Sequence, residues 1–421
     1  MISGDDIVCS CEQSQEAQRK RLCRNTRNST YGALLSPHFG LGQMIMGASV
    51  TACGRAITKQ MIETIGRLLT GDTVRVLWYH GEQGIAGNRA QFNARRSIAV
   101  NIATGSICDA TLLSDTDSCY FKTFATSKRD AIQRADRIAE TVNEEFPAFM
   151  RKTFCCSSSR YDSLIKAGRE IVGRRGLFLN AKKKYTIRVV DLEGFDVFKL
   201  KMMGSELKKV DTPKVIQEFL RKLMALILDG DYTIHEEYDA HRIDAAEACE
   251  RVVEATEEML EKFVNDSRRD LVLRTKNPIE LGTAKGISNL DTYYAAWQRA
   301  GKPAGGKVEI QNEPKSIPGH VRAAIHYNEL AQEFEGTSAK LMKAGDKGLI
   351  FYLKPNQYGY KSIAIPIDFD AFPPWFDENF QLDRRLTETK LIDSKIEGIY
   401  EALRWQIPTP QSTLTKKLLR F

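Results

Sequence analysis

The stretch that most constrains this chain is LLSDTDSCYF, residues 112–121, in which Asp115 and Asp117 stand two apart between short β-type runs. ATLLS on one side and CYFKTF on the other read as strands, so the pattern predicts a hairpin with the carboxylates at its turn. Residues i and i+2 of a strand or tight turn point the same way, so the two carboxylates converge. Like charges that close repel unless a cation lies between them. A hard divalent ion with oxygen ligands is the usual solution, and magnesium takes one or two carboxylates plus substrate phosphates. Taken alone, the same residues also make an ordinary polar turn.

Two further stretches bear on that choice. In RNTRNSTYG (24–32), Arg24, Asn28 and Tyr31 fall at i, i+4 and i+7 of a helix and share one face. That face offers a permanent cation for phosphate, an amide for hydrogen bonding and a ring for stacking. The alternative is a solvated basic helix. In AKKKYTIRVVD (181–191), Lys182, Lys183 and Lys184 precede Tyr185 on a strand. This suits a nucleic-acid backbone track with salt-sensitive affinity, or a solvated lysine cluster.

Around these stretches the chain reads as α+β. Helices are expected over 13–35, with Arg19, Lys20, Arg21, Arg24 and Arg27 in its basic part, and over 43–69 and 127–153. TVRVLWYH (73–80) alternates like a strand, 81–106 reads as an irregular excursion or a ribbon, and 182–204 is strand-rich. In VDTPKVIQEFLRKLMALILDG, Thr212 is the expected N-cap and Pro213 the first helical residue. Val215, Ile216, Phe219, Leu220, Leu223 and Met224 form its apolar face, and Gly230 closes it. A charged helix is expected over 235–263, followed by alternating strands and short helices, without an internal repeat.

The 421 residues leave room for two or three domains, and a net charge of +7 permits a polyanionic partner without requiring one. The start, MISGDDIVCS, has no apolar signal region, and no apolar run approaches the about 18 residues of a membrane span, so no membrane partner is expected. Nine cysteines without a paired C-x-x-C frame read as reduced thiols of a cytosolic protein.

The order of the motifs carries more than any one of them. RNTRNSTYG, then SDTDS, then REIVGRRGLFLNAKKKY, then KLKMMGSELKKVDTPKVIQ resembles the family B DNA polymerases, in particular the replicative enzymes of large tailed phages. PGHVRAAIHYN (318–328) is similar to their thumb. The resemblance runs from about residue 15 onward. It implies that 1–35 carries the C-terminal helix of the fingers, 36–203 the palm, 204–408 a mostly helical thumb, and 409–421 a tail. It implies that Asp117 and Asp115 hold catalytic metal, with Glu170 as an acidic palm residue near it, and that the cofactor is Mg2+. Arg24 corresponds to the residue gripping the incoming dNTP, commonly a lysine in the family. Asn28 and Tyr31 correspond to residues beneath the nascent base pair. Lys182, Lys183, Lys184 and Tyr185 correspond to the primer–template contact, with lysine at 184 where the family usually has arginine. Lys199, Lys201, Lys209 and Lys214 lie in the segment that opens the thumb and are expected to face DNA.

One motif is missing. The family's other metal-binding aspartate lies in an Asp-x-x-Ser-Leu-Tyr-Pro-like motif upstream of the fingers, and neither Asp5 nor Asp6 sits in one. The proofreading exonuclease is absent as well, and DLE (191–193) lies within the expected palm–thumb strands rather than in such a domain. Two-metal phosphoryl transfer needs both aspartates, one ion activating the primer 3′-hydroxyl and the other clamping the triphosphate. The expectation is therefore the C-terminal subunit of a split viral polymerase, or a longer chain cut short, inactive until a partner supplies the missing parts. Its setting would be the cytoplasm of an infected bacterium. The rival expectation is a non-catalytic DNA-binding subunit that recruits a sliding clamp.

Weaker signals remain. GKPAGGKV (301–308) has the Gly-x4-Gly-Lys form, but Val308 replaces the hydroxyl that would hold magnesium and a helical pattern precedes it. HEEYDAH (235–241) reads as charged helix rather than metal site. In the tail PQSTLTKKLLRF, Leu414, Leu418, Leu419 and Phe421 could dock in a hydrophobic groove, as the tails of phage relatives do on the clamp, or pack on the protein itself.

Overall fold

Alternating apolar positions and well-placed turn residues build most of what is seen in this computed structural model. It describes residues 44–71, 74–78, 97–101, 110–115, 118–125, 127–156, 162–179, 184–204, 211–230, 245–303, 306–311 and 313–409. The chain divides into two units, Met1–Glu170 and Ile171–Phe421, and the boundary falls within 36–203, the segment expected to form the palm. Among the described residues the strands pair only antiparallel, in sheets of two or three, beside long helices, so the architecture is mixed helix and sheet as the α+β reading expects.

The first unit opens with helix α1 (Met44–Thr70), whose Ile57, Met61, Ile65 and Leu69 recur every fourth residue and turn inward. Strands β1 (Val74–Trp78) and β2 (Ser97–Asn101) form the ribbon read from 73–106. Strands β3 (Thr111–Asp115) and β4 (Ser118–Phe121) form the expected hairpin. Helix α2 (Lys128–Phe154) follows. Ser127 caps it by accepting from the Asp130 amide at 3.1 Å, and Cys155 ends it in the left-handed conformation, φ 53°. Its buried stripe, Ala131, Ala135, Ile138, Val142, Phe146 and Met150, keeps a spacing of three to four. Ile138, Val142 and Phe146 pack with Ile65 of α1 and with Cys119 and Phe121 of β4.

The second unit begins with a three-stranded meander, β5 (Ile171–Phe178), β6 (Tyr185–Leu192) and β7 (Phe195–Met203), with β6 in the centre. Glu193 and Gly194, both at positive φ (52° and 94°), make the β6–β7 turn, and the Asp191 carboxylate accepts from the Gly194 amide at 3.2 Å. DLE is thus part of a hairpin turn. Helix α3 (Lys214–Asp229) buries Ile216, Phe219, Leu220, Leu223, Met224 and Leu228, the face read from sequence with Leu228 added and Val215 only partly buried. Each such burial contributes about 2 kcal/mol. The expected cap does not form. Pro213 occupies the cap position in an extended conformation (φ −53°, ψ 142°), no side chain caps the helix, and the Thr212 hydroxyl is buried without a partner.

Helix α4 (Ala245–Ser267) continues into a π-helical turn, Arg268–Leu273. Near the C-terminus α8 (Arg384–Glu388) likewise passes through a π turn, Thr389–Asp393, into α9 (Ser394–Leu403), once β8 (Thr283–Gly286), α5 (Leu290–Arg299), β9 (Lys307–Ile310), β10 (Glu313–Ser316), α6 (Gly319–Glu335), β11 (Lys347–Tyr352), β12 (Ser362–Pro366) and α7 (Pro374–Asn379) have been traversed. The buried Arg268 joins the two π turns by donating to Glu388 at 3.3 Å and to Asp393. Arg384 donates to the carbonyls of Val272, Leu273 and Thr275, closing the end of the first π turn. Around them Leu260, Val264, Leu391, Ile392, Ile396 and Tyr400 share one core with α3.

A second core surrounds α6, with Trp297, Val321, Ile325, Tyr327, Phe351, Ile363, Ile365 and Phe376. His326 lies in it, stacked on Tyr360 at 3.8 Å with Nδ1 2.9 Å from the Ser362 carbonyl, and burial pushes its imidazole down to about 4. It is a neutral packing residue at physiological pH. Gly301, Lys302 and Pro303 follow helix α5, and Lys302 pairs with Glu329 at 2.6 Å over the Trp297 ring. The Gly-x4-Gly-Lys stretch therefore lacks the strand that a phosphate loop follows.

Burial raises the carboxyl groups of both Glu388 and Asp393 above the usual range, against the pull of Arg268. A raised folded-state pKa favours stability at low pH and withdraws it as pH rises through that value. Removing the arginine deepens this. Arg268→Met is expected to cost about 3–5 kcal/mol at pH 7.5 and clearly less at pH 5, read from denaturant unfolding at both pH values. Equal losses at the two values would refute the burial account.

Candidate functional site

The carboxylate hairpin is built by register. Asp115 pairs with Ser118, Ser114 with Cys119 and Leu113 with Tyr120, so only Thr116 and Asp117 join the strands. Asp115 ends β3, while Thr116 and Asp117 lie outside the described residues. Cys119 and Phe121 point into the α1–α2 core, which fixes the hairpin's orientation through β4. The Lys122 amide bonds back to the Ala110 carbonyl at 2.7 Å and closes the hairpin at its base.

Glu170 is exposed and ends a segment, 162–170, that is fastened along α2. Asp162, buried, accepts from Arg151 at 2.5 Å. Asn143 grips Ala167 twice, donating to its carbonyl at 2.9 Å and accepting from its amide at 2.7 Å. Arg169, itself mostly buried, donates to Asp136 at 2.7 Å. Sequence reasoning named Glu170 and none of these holders. Asn143 and Asp136 are two helical turns apart on the flank of the apolar stripe, where a polar residue normally meets water.

The basic residues gather on the meander. Leu179 donates to the Lys184 carbonyl at 3.0 Å across the β5–β6 connection, whose Lys182 and Lys183 lie outside the described residues. Tyr185 opens β6, buried and stacked on Phe178 at 5.8 Å. Lys201 pairs with Ile187 and Lys199 with Val189, and Tyr185 pairs with Met203. Directly opposed residues of an antiparallel pair share a face, so Lys199, Lys201 and Tyr185 lie on one side of the sheet. The other side carries Leu200 and Met202 into the core with α3. Asp191, Glu193 and Asp196 sit at the far, β6–β7 end, so the sheet is polarised in charge along its length. Lys214 is exposed at the first position of α3.

Arg188, which sequence reasoning left unassigned, anchors that sheet. It is buried, donates to both oxygens of Asp229 at the end of α3 (Nε–Oδ1 2.7 Å), and lies 4.5 Å over the Phe198 ring. Its signal was present, since a charge inside the apolar run YTIRVV needs a buried partner. Gly173 of β5 is required beside it, because a Cβ there would meet Ile187 Cγ2 at 2.4 Å.

Arg24, Asn28, Tyr31, Lys209, Leu414, Leu418, Leu419 and Phe421 also lie outside the described residues, as does HEEYDAH. Among the described residues no group of three or more His, Cys, Asp or Glu side chains could hold a metal ion. The donor set read from sequence is made of hard carboxylate oxygens, which fits a magnesium-class cation rather than a soft one. No described helix is long and apolar enough to cross a membrane.

The chain is 24% identical over 246 residues to the DNA-directed DNA polymerase of Enterobacteria phage T4. The match covers 56% of this chain and 25% of the relative, so the chain matches about a quarter of that protein's length. The relationship is distant. No family model matches the chain.

Arg188 and Asp229 are expected to couple strongly. A double-mutant cycle with Arg188→Met and Asp229→Asn should return about 2 kcal/mol, measured by denaturant unfolding. A coupling near zero would mean that the pair does not anchor the sheet.

Proposed function

We propose that this chain is the palm-and-thumb part of a DNA-directed DNA polymerase, adding a deoxynucleotide to a primer 3′-hydroxyl. The observation that supports it best is the SDTDS hairpin, two antiparallel strands with only two residues between them and Asp115 at the strand end, in a chain similar to a phage DNA polymerase. Residues 1–35 would contribute a fingers helix, 36–203 the palm, 204–408 the thumb and 409–421 a clamp-binding tail.

In this reading Asp115, Asp117 and Glu170 hold Mg2+, which when bound supplies charge neutralisation at the phosphates and lowers the pKa of the attacking hydroxyl. Arg24 binds the triphosphate of the dNTP, and Asn28 and Tyr31 orient the nascent pair. Lys182, Lys183, Lys184, Lys199, Lys201, Lys209 and Lys214 hold the primer–template through its phosphates, which positions the duplex without reading its sequence, while Tyr185, buried and stacked on Phe178, supports the start of β6. The upstream palm aspartate and the exonuclease come from further polypeptide, in the first instance a separate N-terminal subunit met in the cytoplasm of an infected bacterium.

Primer extension on a primed template with Mg2+ and all four dNTPs tests this, for the chain alone and co-expressed with the candidate N-terminal fragment. Extension is expected only with that fragment and should vanish with Asp117→Asn. Extension by the chain alone would show that the second aspartate is already present. DNA binding without extension in either case would favour the accessory, clamp-recruiting role. Independently, the pair Lys199→Ala and Lys201→Ala should weaken primer–template binding for every sequence alike. It should also lower the slope of log K against log salt by about 2, and an unchanged slope would remove these lysines from the DNA track.

A further inference from the structure

A cavity of about 670 Å³ opens in the second unit between α7, α8, the chain just after β11 and the end of the first π turn. That volume lies in the range of small-molecule sites. Phe376 and Phe380 are its buried apolar lining, with Phe372 stacked on Phe376 at 4.3 Å. Leu382, Pro278 and the exposed Leu273 complete it. Both walls are fastened. Leu382 bridges to Leu353, the Lys354 amide donates to the Gln381 carbonyl at 2.9 Å, and the Asp383 amide donates to that of Tyr352 at 2.9 Å. On the other side Arg384 holds the carbonyls of Val272 and Leu273. The cavity is therefore preformed.

Its charged groups fall into two sets. Arg384 is occupied by those carbonyls, and Asp383 caps α8 by accepting from the Leu386 amide at 2.9 Å. Lys354, Arg385 and Asp377 are left over. Lys354 reaches the neutral Gln381 side-chain oxygen at 3.3 Å. Arg385 and Asp377 make no hydrogen bond or ion pair among the described residues. Two uncommitted cations against one uncommitted carboxylate leave a surplus of one positive charge beside an apolar lining.

We propose that this cavity binds a small amphipathic monoanion, an aryl or alkyl body carrying one anionic group. The body lies against Leu273, Phe372 and Leu382, and the anionic group faces Lys354 and Arg385. Removing the body from water supplies the attraction, and the two cations orient it. A polyanion is disfavoured, because Asp377 and Asp383 share the lining and repel each further negative charge. This separates the cavity from a nucleic-acid track, and the site stands whether or not the polymerase reading does.

The test is fluorescence titration of the full chain with 8-anilinonaphthalene-1-sulfonate, an aryl monoanion, and in parallel with its uncharged counterpart N-phenyl-1-naphthylamine. The sulfonate should bind at one site per chain. Replacing both cations, Lys354→Ala with Arg385→Ala, should weaken the sulfonate about tenfold and leave the uncharged dye nearly unchanged. Asp377→Asn should tighten the sulfonate alone, and Leu273→Ser should weaken both dyes. All four positions are exposed, so these variants keep the fold, which far-ultraviolet circular dichroism checks. Sulfonate affinity unchanged without the two cations, or an equal loss for both dyes, would overturn the anion assignment. Indifference of both dyes to Leu273→Ser, or no binding at all, would overturn the site. Displacement of the sulfonate by a short single-stranded oligonucleotide would also overturn it, in favour of a nucleic-acid contact.

Discussion

A single helix organises the first unit. The inward stripe of α2, from Ala131 to Met150, buries enough apolar surface to lock it against α1 and the hairpin. Once locked, the helix is a rigid ruler with a rise of about 1.5 Å per residue, and anything bonded to its flank inherits a position. Hydrophobic burial supplies the rigidity here, and a few directional polar contacts use it.

The second unit applies a related device with charge. Arg188 ties the central strand of the meander to the end of α3, and Arg268 ties the π turn after α4 to the π turn before α9. Buried ion pairs add little net stability, because taking both charges out of water offsets their attraction. They are selective, though, since a wrong register would leave a guanidinium without its carboxylate. Both arginines stand where two elements could otherwise slip, one across a sheet and one between helices that each carry an extra residue in a turn.

Much of this was legible in the sequence, for identifiable reasons. The hairpin, α1, α2 and the apolar face of α3 follow from periodicity and punctuation, which act within a few residues. The failures involve distant partners or crowded ends. Thr212 has the chemistry of a cap, but Pro213, with φ fixed by its ring, takes the cap position, and the hydroxyl is left buried. The π turns have no local signature, because what stabilises them is Arg268 reaching residues 120 and 125 positions away. Asn143 was invisible for the same reason, as its partner Ala167 lies 24 residues on. Of the candidate site, Glu170, Lys184, Tyr185, Lys199, Lys201 and Lys214 have described surroundings and Asp115 a described backbone. The fingers residues and the tail lie outside the described residues.

The antiparallel run of 162–170 along α2 makes spacing, rather than identity, the quantity under constraint. Leu164 and Lys166 face solvent and can change freely. Inserting or deleting one residue among them displaces everything beyond by about 3.3 Å, more than a carboxylate can absorb and still meet the same partner. Homologous chains should therefore vary in letters across this spacer while avoiding indels.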